Sequence, residues 1–551
     1  MEFMMGPRLN PPRRRWALVR VSLSAVVFVL SLREYGRSPL MAQDEVQAQY
    51  KIFASAFEAI ERTYVEDVPS ERLIYSALGG LMNTLDPHSH VEDPRTYAQT
   101  RQQQEGRYYG IGVSIQSVKG DVVIVSVTEH APAFRTGLRR GDVIARIGGQ
   151  DASGWTTEQA SAALKGPLGT VVDVAIKRPG FDTLFNTQVR RDEVHLATVP
   201  AAIMLDAETG YLKLAEFGEN ADREVGEALE VLNRAGMRRL VFDLRDNPGG
   251  VLDQAILVAS RFLPRGALIV YTRGRVDGSA HEYRSEQRDP LRLPMITLVD
   301  RGSASASEIV SGALQDHDRS LIVGETTFGK ALVQSVYRLS LGAAAAITTA
   351  RYYTPSGRLI QRPWDGTFDD YRAYTLLPQS ISTVHPLESL KYTDLGRKVY
   401  AGGGIEPDRR LEGPIEGFNP TRFGRALVAA NLFERYAQRF ARRGDARFAA
   451  SVLEGYRLSE DYGVSEAMLD EFKELVRSSG VRFDEAAWRQ DAAFVSAMIR
   501  KEIDTDLFGQ AVVRRHLAGE DPQLQFALTL FPDAMALRDA RAAAAGPRPP
   551  A

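Results

Sequence analysis

The chain has 551 residues, 44% of them hydrophobic and 25% charged, with a net charge of −2 and no cysteine. At roughly 100–200 residues per domain, that length predicts three or four units with ample core. The near-neutral charge leaves no bulk basic field for nucleic acid, and the missing cysteines exclude disulfides, thiol catalysis and cysteine zinc sites.

At the N-terminus "RRR" (13–15) precedes "WALVRVSLSAVVFVLSL" (16–32), whose uninterrupted apolar part is residues 21–32. A basic stretch before a short apolar one predicts an export signal within residues 1–42. Ala42 in "SPLMAQD" offers a cleavage point, although Leu40 is large for the position three places before the cut. With Arg20 snorkelling, residues 16–32 also read as an uncleaved anchor. Either way the body of the chain is expected outside the cytoplasm.

Residues 43–105 predict a helical segment, from the apolar spacing in "YKIFASAFEAIERTYV" and "RLIYSALGGLMNTL". "DPHSH" (86–90) ends the second of these stretches. His88 and His90 raise a metal reading, but a proline turn with no third ligand nearby favours a structural role. No metal or cofactor is expected.

Between 106 and 192 the pattern changes to short strands and turns, with β-branched alternation in "YYGIGVSIQ", "DVVIVSVT" and "GDVIARIGGQ". "TTEQASAALKG" (156–166) reads as a short amphipathic helix. With "GLRRGDVIARIGG" behind "YGIG", this segment resembles a PDZ domain. The resemblance makes Tyr109, Gly110, Ile111 and Gly112 the carboxylate-binding loop. Glycines there let successive N–H groups converge on a terminal carboxylate, and the adjacent strand edge can accept a peptide as an added strand.

Residues 193–410 alternate strands and helices. "RRLVFDLR", "PMITLVD" and "SLIVGE" are buried-strand runs, and "LDQAILVASRFL" and "ASEIVSGALQDH" are helices between them. Such repeats predict an α/β core with parallel pairing. From 411 to 551 the chain reads as an all-helical accessory domain without a chemical motif. Its exposed face is expected to be simply solvated, and its end, "RAAAAGPRPPA", to be disordered.

The chemistry concentrates in "GSASASEIVSG" (302–312), a small-residue turn between a strand and a helix. A serine nucleophile needs a base. His317 is close in sequence, but at about 1.5 Å per residue a helix over 306–317 puts it roughly 18 Å from Ser305. His195 and His281 lie in no recognisable motif. Lys330, in "GETTFGKALVQ", has apolar neighbours that would hold its amine neutral. Only 10 of the 68 basic residues are lysines, and arginine cannot serve as a base. Ser305 and Glu308 also fit a capping box, so local sequence leaves Ser303, Ser305 and Ser307 as rivals. "DNPGG" (246–250) could supply oxyanion N–H groups or merely turn the chain.

Taken together, "DLRDNPGG", "GSASASEIVSGALQD", "GETTFGKALVQ" and "GGGIEPD" resemble the signatures of the carboxyl-terminal processing peptidases, the tail-specific serine–lysine proteases. The resemblance runs from about residue 45 to 410. It implies a multidomain α/β (ClpP/crotonase-like) protease core, an inserted PDZ domain, and helical segments at both ends. It also implies Ser305 as nucleophile, 25 residues before Lys330 as general base, with Gln334 orienting the lysine. Oxyanion donors would be the N–H groups of Ala306 and of Gly249 or Gly250, and Asp316 would be a supporting residue. One departure is Ala331, where the family has a second glycine after the lysine; it matters if that position needs positive φ. The expected partners are proteins with apolar C-termini, in a bacterial periplasm or cell envelope, with self-association or an adaptor open. A catalytically silent PDZ scaffold and an acyl-CoA enzyme are the competing readings.

Overall fold

The computed structural model describes residues 40–178, 181, 183–364, 367–375, 385–411, 420–443 and 458–544. The basic and apolar stretches of the expected export signal lie outside these. Among the described residues no helix is long and apolar enough to cross a membrane. The chain divides into two compact units, Met1–Thr84 and Leu85–Ala551.

In the first unit the expected helices are α1 (Leu40–Thr63) and α2 (Ser70–Met82). Pro69 precedes α2 and Glu71 lies in its first turn, where an acid complements the helix dipole. Tyr50, Phe53 and Ile60 on α1 and Leu81 on α2 are exposed.

The second unit adds a strand to the segment expected to be helical to residue 105. Asp86 folds a turn that leads into a short strand, β1 (His90–Glu92), before α3 (Pro94–Gln104). Asp93 starts α3 by accepting the N–H groups of Arg95 and Thr96, with Pro94 at the first helical position.

The β-rich segment comprises β2 (Arg107–Gly110), β3 (Val113–Val118), β4 (Asp121–Val127), α4 (Pro132–Arg135), β5 (Val143–Ile147), β6 (Gln150–Asp151), α5 (Thr157–Leu164), β7 (Val171–Lys177), β8 (Leu184–Arg190) and β9 (Asp192–His195). Its sheet runs β3-β4-β5-β7-β8, with β6 on β5, while β2 pairs with β9. Ile111, Ile124, Ile144, Val174 and Leu164 are buried together between sheet and helix. β3 is an edge strand, the kind an added peptide strand can extend.

The α/β core follows as β10 (Ala201–Met204), β11 (Thr209–Lys213), α6 (Ala221–Arg234), β12 (Arg239–Asp243), α7 (Leu252–Ser260), β13 (Leu268–Gly274), β14 (His281–Arg284), β15 (Met295–Val299), α8 (Ala306–Asp316), β16 (Leu321–Gly324), β17 (Leu332–Arg338), β18 (Ala344–Tyr353), α9 (Phe368–Arg372), β19 (Leu390–Tyr392), β20 (Lys398–Tyr400) and β21 (Arg409–Arg410). The main sheet has the order β10-β11-β12-β15-β16-β21 and is parallel from β11 to β21. β15 is buried at every position and β12 at nearly every one, as strands covered on both faces must be. An antiparallel sheet, β1-β18-β13-β14 with β17 on β18, lies beyond it. Turns leaving the carboxyl ends of parallel strands are where such folds place ligands, and the turns after β12 and β15 carry the motifs.

The C-terminal helices are α10 (Arg422–Ala429), α11 (Leu432–Arg443), α12 (Glu466–Arg477), α13 (Glu485–Gln490), α14 (Ala492–Leu507), α15 (Gln510–Glu520), α16 (Pro522–Thr529) and α17 (Phe531–Ala544). α10–α14 share a core around Phe433, Tyr436, Phe472 and Trp488. The last helices are not a solvated accessory. Leu524, Ala527, Phe531 and Ala534 pack on Val241, Ile296, Leu298 and Val323, covering the outer face of the main sheet. α17 extends to Ala544, so the stretch expected to be disordered begins as helix; residues 545–551 lie outside the described chain.

Candidate active site

Asp300, just after β15, folds the serine turn: its Oδ1 accepts from the N–H groups of Gly302 (2.9 Å), Ser303 (3.0 Å) and, across the cleft, Asp246 (2.9 Å). The turn ends at Ser305, with φ 53° and ψ −109°. A non-glycine residue in that region is strained by about 1–3 kcal/mol, a condition that collects at functional turns. The other serines are engaged elsewhere. Ser303 Oγ donates to the Leu244 carbonyl (2.8 Å), Ser307 Oγ to the Asn247 carbonyl (2.9 Å) and Ser311 Oγ to the Ser307 carbonyl (2.8 Å). The Ser305 hydroxyl donates to no acceptor among the described residues, and it is partly exposed.

Glu308, fully buried, binds two loops together. Its Oε2 accepts from the N–H groups of Ser305 (2.8 Å) and Lys330 (2.9 Å). Its Oε1 accepts from Thr327 Oγ1 (2.5 Å) and the Gly329 N–H (2.7 Å). Desolvation pushes this acid up to about 7 against those four donors, each of which favours the carboxylate. The Tyr352 hydroxyl lies 3.0 Å from the Ser305 carbonyl and 2.5 Å from that of Lys330, a second tie between the loops. Glu308 was legible only as a helix cap, and Tyr352 carried no sequence signal.

Lys330 Nζ donates to Gln334 Oε1 at 2.9 Å. Burial pulls the ammonium below its ordinary range, while the Glu308 and Asp86 carboxylates oppose that shift. Gln334 turns inward because a β-bulge falls between Val333 and Gln334, which re-aims the side chain. Its amide nitrogen donates to the His88 carbonyl at 2.7 Å. Ala331 fits without strain: it is buried at a negative φ, its N–H donates to Gln361 Oε1 (2.8 Å), and the left-handed residue of the loop is Gly329 at φ 85°.

In "DNPGG" the Gly249 N–H is already donated to Asn247 Oδ1 (2.9 Å), while Asn247 itself holds the Leu214 carbonyl (2.9 Å). The N–H groups of Gly250 and Ala306 have no acceptor among the described residues. Gly249 lies against the serine turn, where an added Cβ would meet Ser305 Cβ at 2.8 Å and Ala306 N at 2.9 Å. Gly250, at φ 145°, abuts the Phe217 carbonyl, where an added Cβ would lie 2.3 Å away.

Several candidates fall outside this constellation. His317 bonds Asp394 (2.7 Å) and the Leu268 carbonyl (2.7 Å), and His195 bonds Glu224 (2.9 Å). Asp316 pairs with the buried Arg358 (2.5 Å) and accepts from the Ser356 N–H (2.9 Å), a structural clamp at the far end of α8. His88 and His90 belong to no metal-ligating group among the described residues. In the loop expected to bind a peptide carboxylate, the Ile111 and Gly112 carbonyls accept from Ala133 N (2.8 Å) and Thr128 N (2.9 Å). Their own N–H groups have no acceptor among the described residues; Tyr109 is exposed, and Gly110 ends β2.

Residues 208–372 match Peptidase family S41 and residues 99–177 match the PDZ domain family. A carboxy-terminal-processing protease of Bartonella bacilliformis is 36% identical over 56% of this chain and 72% of its own length. The carboxy-terminal processing protease CtpA of Bacillus subtilis is 28% identical over 62% of this chain and 74% of its own. A carboxyl-terminal-processing protease of Picosynechococcus is 36% identical over 51% and 69%.

Proposed function

We propose, for a chain that belongs to the carboxy-terminal processing proteases of peptidase family S41 and is a serine-type hydrolase with a PDZ domain, that Ser305 and Lys330 form its catalytic dyad. The observation that carries this reading is the Glu308 carboxylate, which accepts the main-chain N–H of both residues and so holds the two loops side by side. Neutral Lys330 takes the Ser305 proton as Oγ bonds to the scissile carbonyl carbon. The oxyanion is stabilised by the N–H groups of Gly250 and Ala306, since that of Gly249 is occupied. As the C–N bond breaks, the lysine returns the proton to the leaving amine. Water, deprotonated by the same lysine, then hydrolyses the acyl-enzyme.

The PDZ domain captures the apolar C-terminus of a protein substrate. The Ile111 and Gly112 N–H groups receive its carboxylate, and the β3 edge receives its backbone. The enzyme acts after export, in the cell envelope.

The test uses an unfolded protein ending in apolar residues, offered with a free or an amidated C-terminus. Wild type cleaves the free acid, and both Ser305→Ala and Lys330→Ala lose at least about 10³-fold in kcat, in line with removal of a residue from a nucleophile–base pair. Full cleavage by either variant refutes the dyad. Equal cleavage of the amidated protein refutes carboxylate capture.

A further inference from the structure

The "DPHSH" motif is unused by the mechanism above, yet it touches the base's own partner. Asp86 is buried, and its Oδ1 accepts from the N–H groups of His88 and Ser89, both at 2.8 Å. Its Oδ2 accepts from Ser89 Oγ at 2.8 Å. Ser89 Oγ in turn accepts from the Thr348 N–H (3.1 Å) on β18, and β1 continues onto the same strand. Arg372 donates to the Pro87 carbonyl at 3.1 Å, so every residue of the turn is fixed.

The product of this bracing is the direction of one carbonyl. The His88 oxygen accepts from Gln334 Nε2 at 2.7 Å. A carbonyl can only accept, so the Gln334 amide must present its nitrogen to His88 and its oxygen to the other side. On that other side is Lys330 Nζ, 2.9 Å from Gln334 Oε1. One ammonium hydrogen is thereby tied, and the remaining positions on nitrogen are directed away from the glutamine.

We propose that the turn Asp86-Pro87-His88-Ser89 is a positioning element for the general base: Asp86 shapes it, the His88 carbonyl sets the Gln334 amide, and that amide sets Lys330. This rests on Lys330 being the base, as argued above. Asp86 also acts through its charge. The groups acting on the Lys330 amine are the Glu308 and Asp86 carboxylates and His88, while the Tyr352 phenol donates to the Lys330 carbonyl. His88 is held neutral, pushed down to about 3 by burial and by the positive charges of Lys330, Arg372 and Arg362, with its Nε2 3.0 Å from the Tyr371 hydroxyl. Hydrogen bonds from Ser89 and His88 keep Asp86 ionised despite its burial. Removing that charge removes support for protonated Lys330, so the lysine becomes neutral at a lower pH.

The experiment compares wild type, Asp86→Asn, Asp86→Ala and Lys330→Ala on a peptide substrate, with kcat and KM measured across pH and folding checked by thermal melting. Asn keeps the oxygen that caps the turn and drops the charge. The acid limb of kcat/KM should then move to lower pH, by about one unit or less. Ala also loses the turn, and kcat should fall at least tenfold with KM changed less than about twofold. An Asp86→Ala enzyme with wild-type kcat, or an Asp86→Asn profile with an unmoved acid limb, overturns the proposal. If Asp86→Ala fails to fold, the Asn profile decides. An active Lys330→Ala enzyme would overturn the dyad itself, whereas an inactive one beside wild-type Asp86 variants would overturn only the positioning role.

Discussion

Gly329, at φ 85°, sits where an added Cβ would meet Arg362 Cβ at 2.8 Å and the Gly404 N–H nitrogen at 3.1 Å. Gly329→Ala should therefore cost about 1–3 kcal/mol and displace the adjacent lysine, lowering kcat; urea denaturation and peptide turnover measure the two effects. Ala331→Gly should differ in activity: kcat is retained, while stability falls by about 0.5–1 kcal/mol, from backbone entropy. At this scale the sequence reading had the residue types but not their relations. Three serines are equivalent in the sequence, whereas in the fold the hydroxyls of Ser303 and Ser307 donate to main-chain carbonyls. The sequence leaves Gly249 and Gly250 equivalent because Asn247, two residues before Gly249, takes the Gly249 N–H only in the folded turn. The Gln334 side chain turns inward through a bulge, which no spacing rule announces.

Strands and helices were more legible than the faces they bury. β12, β15 and β16 read as apolar runs because strands covered on both faces leave no polar alternation. β1 did not, because three residues after a proline turn carry no period, and its pairing with β18 joins residues over 250 positions apart. The helices after residue 510 were recognised as helices, while what they cover was not. Phe531 is fully buried against the main sheet, with the Arg239 guanidinium 4.6 Å from its ring. Phe531→Ala should destabilise the protein by about 3–5 kcal/mol, the usual cost of removing a buried phenylalanine. A loss under 1 kcal/mol in urea denaturation would mean that these helices do not pack on the sheet in solution.

Across the molecule, the PDZ domain is tied to the C-terminal helices through Arg140, which follows α4. Its guanidinium lies 3.3 Å from Glu434 on α11, pairs with Glu502 on α14, and is 4.0 Å from Asp506 on the same helix. Arg140→Ala leaves the three carboxylates without their shared cation and should cost about 3 kcal/mol. Hydrogen exchange should then rise in residues 136–142 before it rises in the main sheet. The site also titrates. Desolvation, opposed by Arg140 and aided by Glu502 and Glu434, pushes Asp506 up to about 7 from an ordinary 3.8. The native state thus holds a proton that the unfolded chain releases at lower pH. The stability it contributes is complete below about pH 4 and is lost as pH rises through about 7. Urea midpoints should fall across that window in wild type and flatten in Asp506→Asn.

By itself the sequence determined the α/β core and the strand-rich segment before it, which depend on local period and turn residues, properties of neighbouring positions. The PDZ assignment and the candidate serine, lysine, glutamine and glycine turns came from motifs that resemble a family. Tertiary structure alone decided which groups meet: Glu308 joining two loops, a histidine carbonyl in a distant turn setting a glutamine amide, and terminal helices closing a sheet face. Each of those contacts joins residues that chain distance separates and packing brings within hydrogen-bond or van der Waals reach.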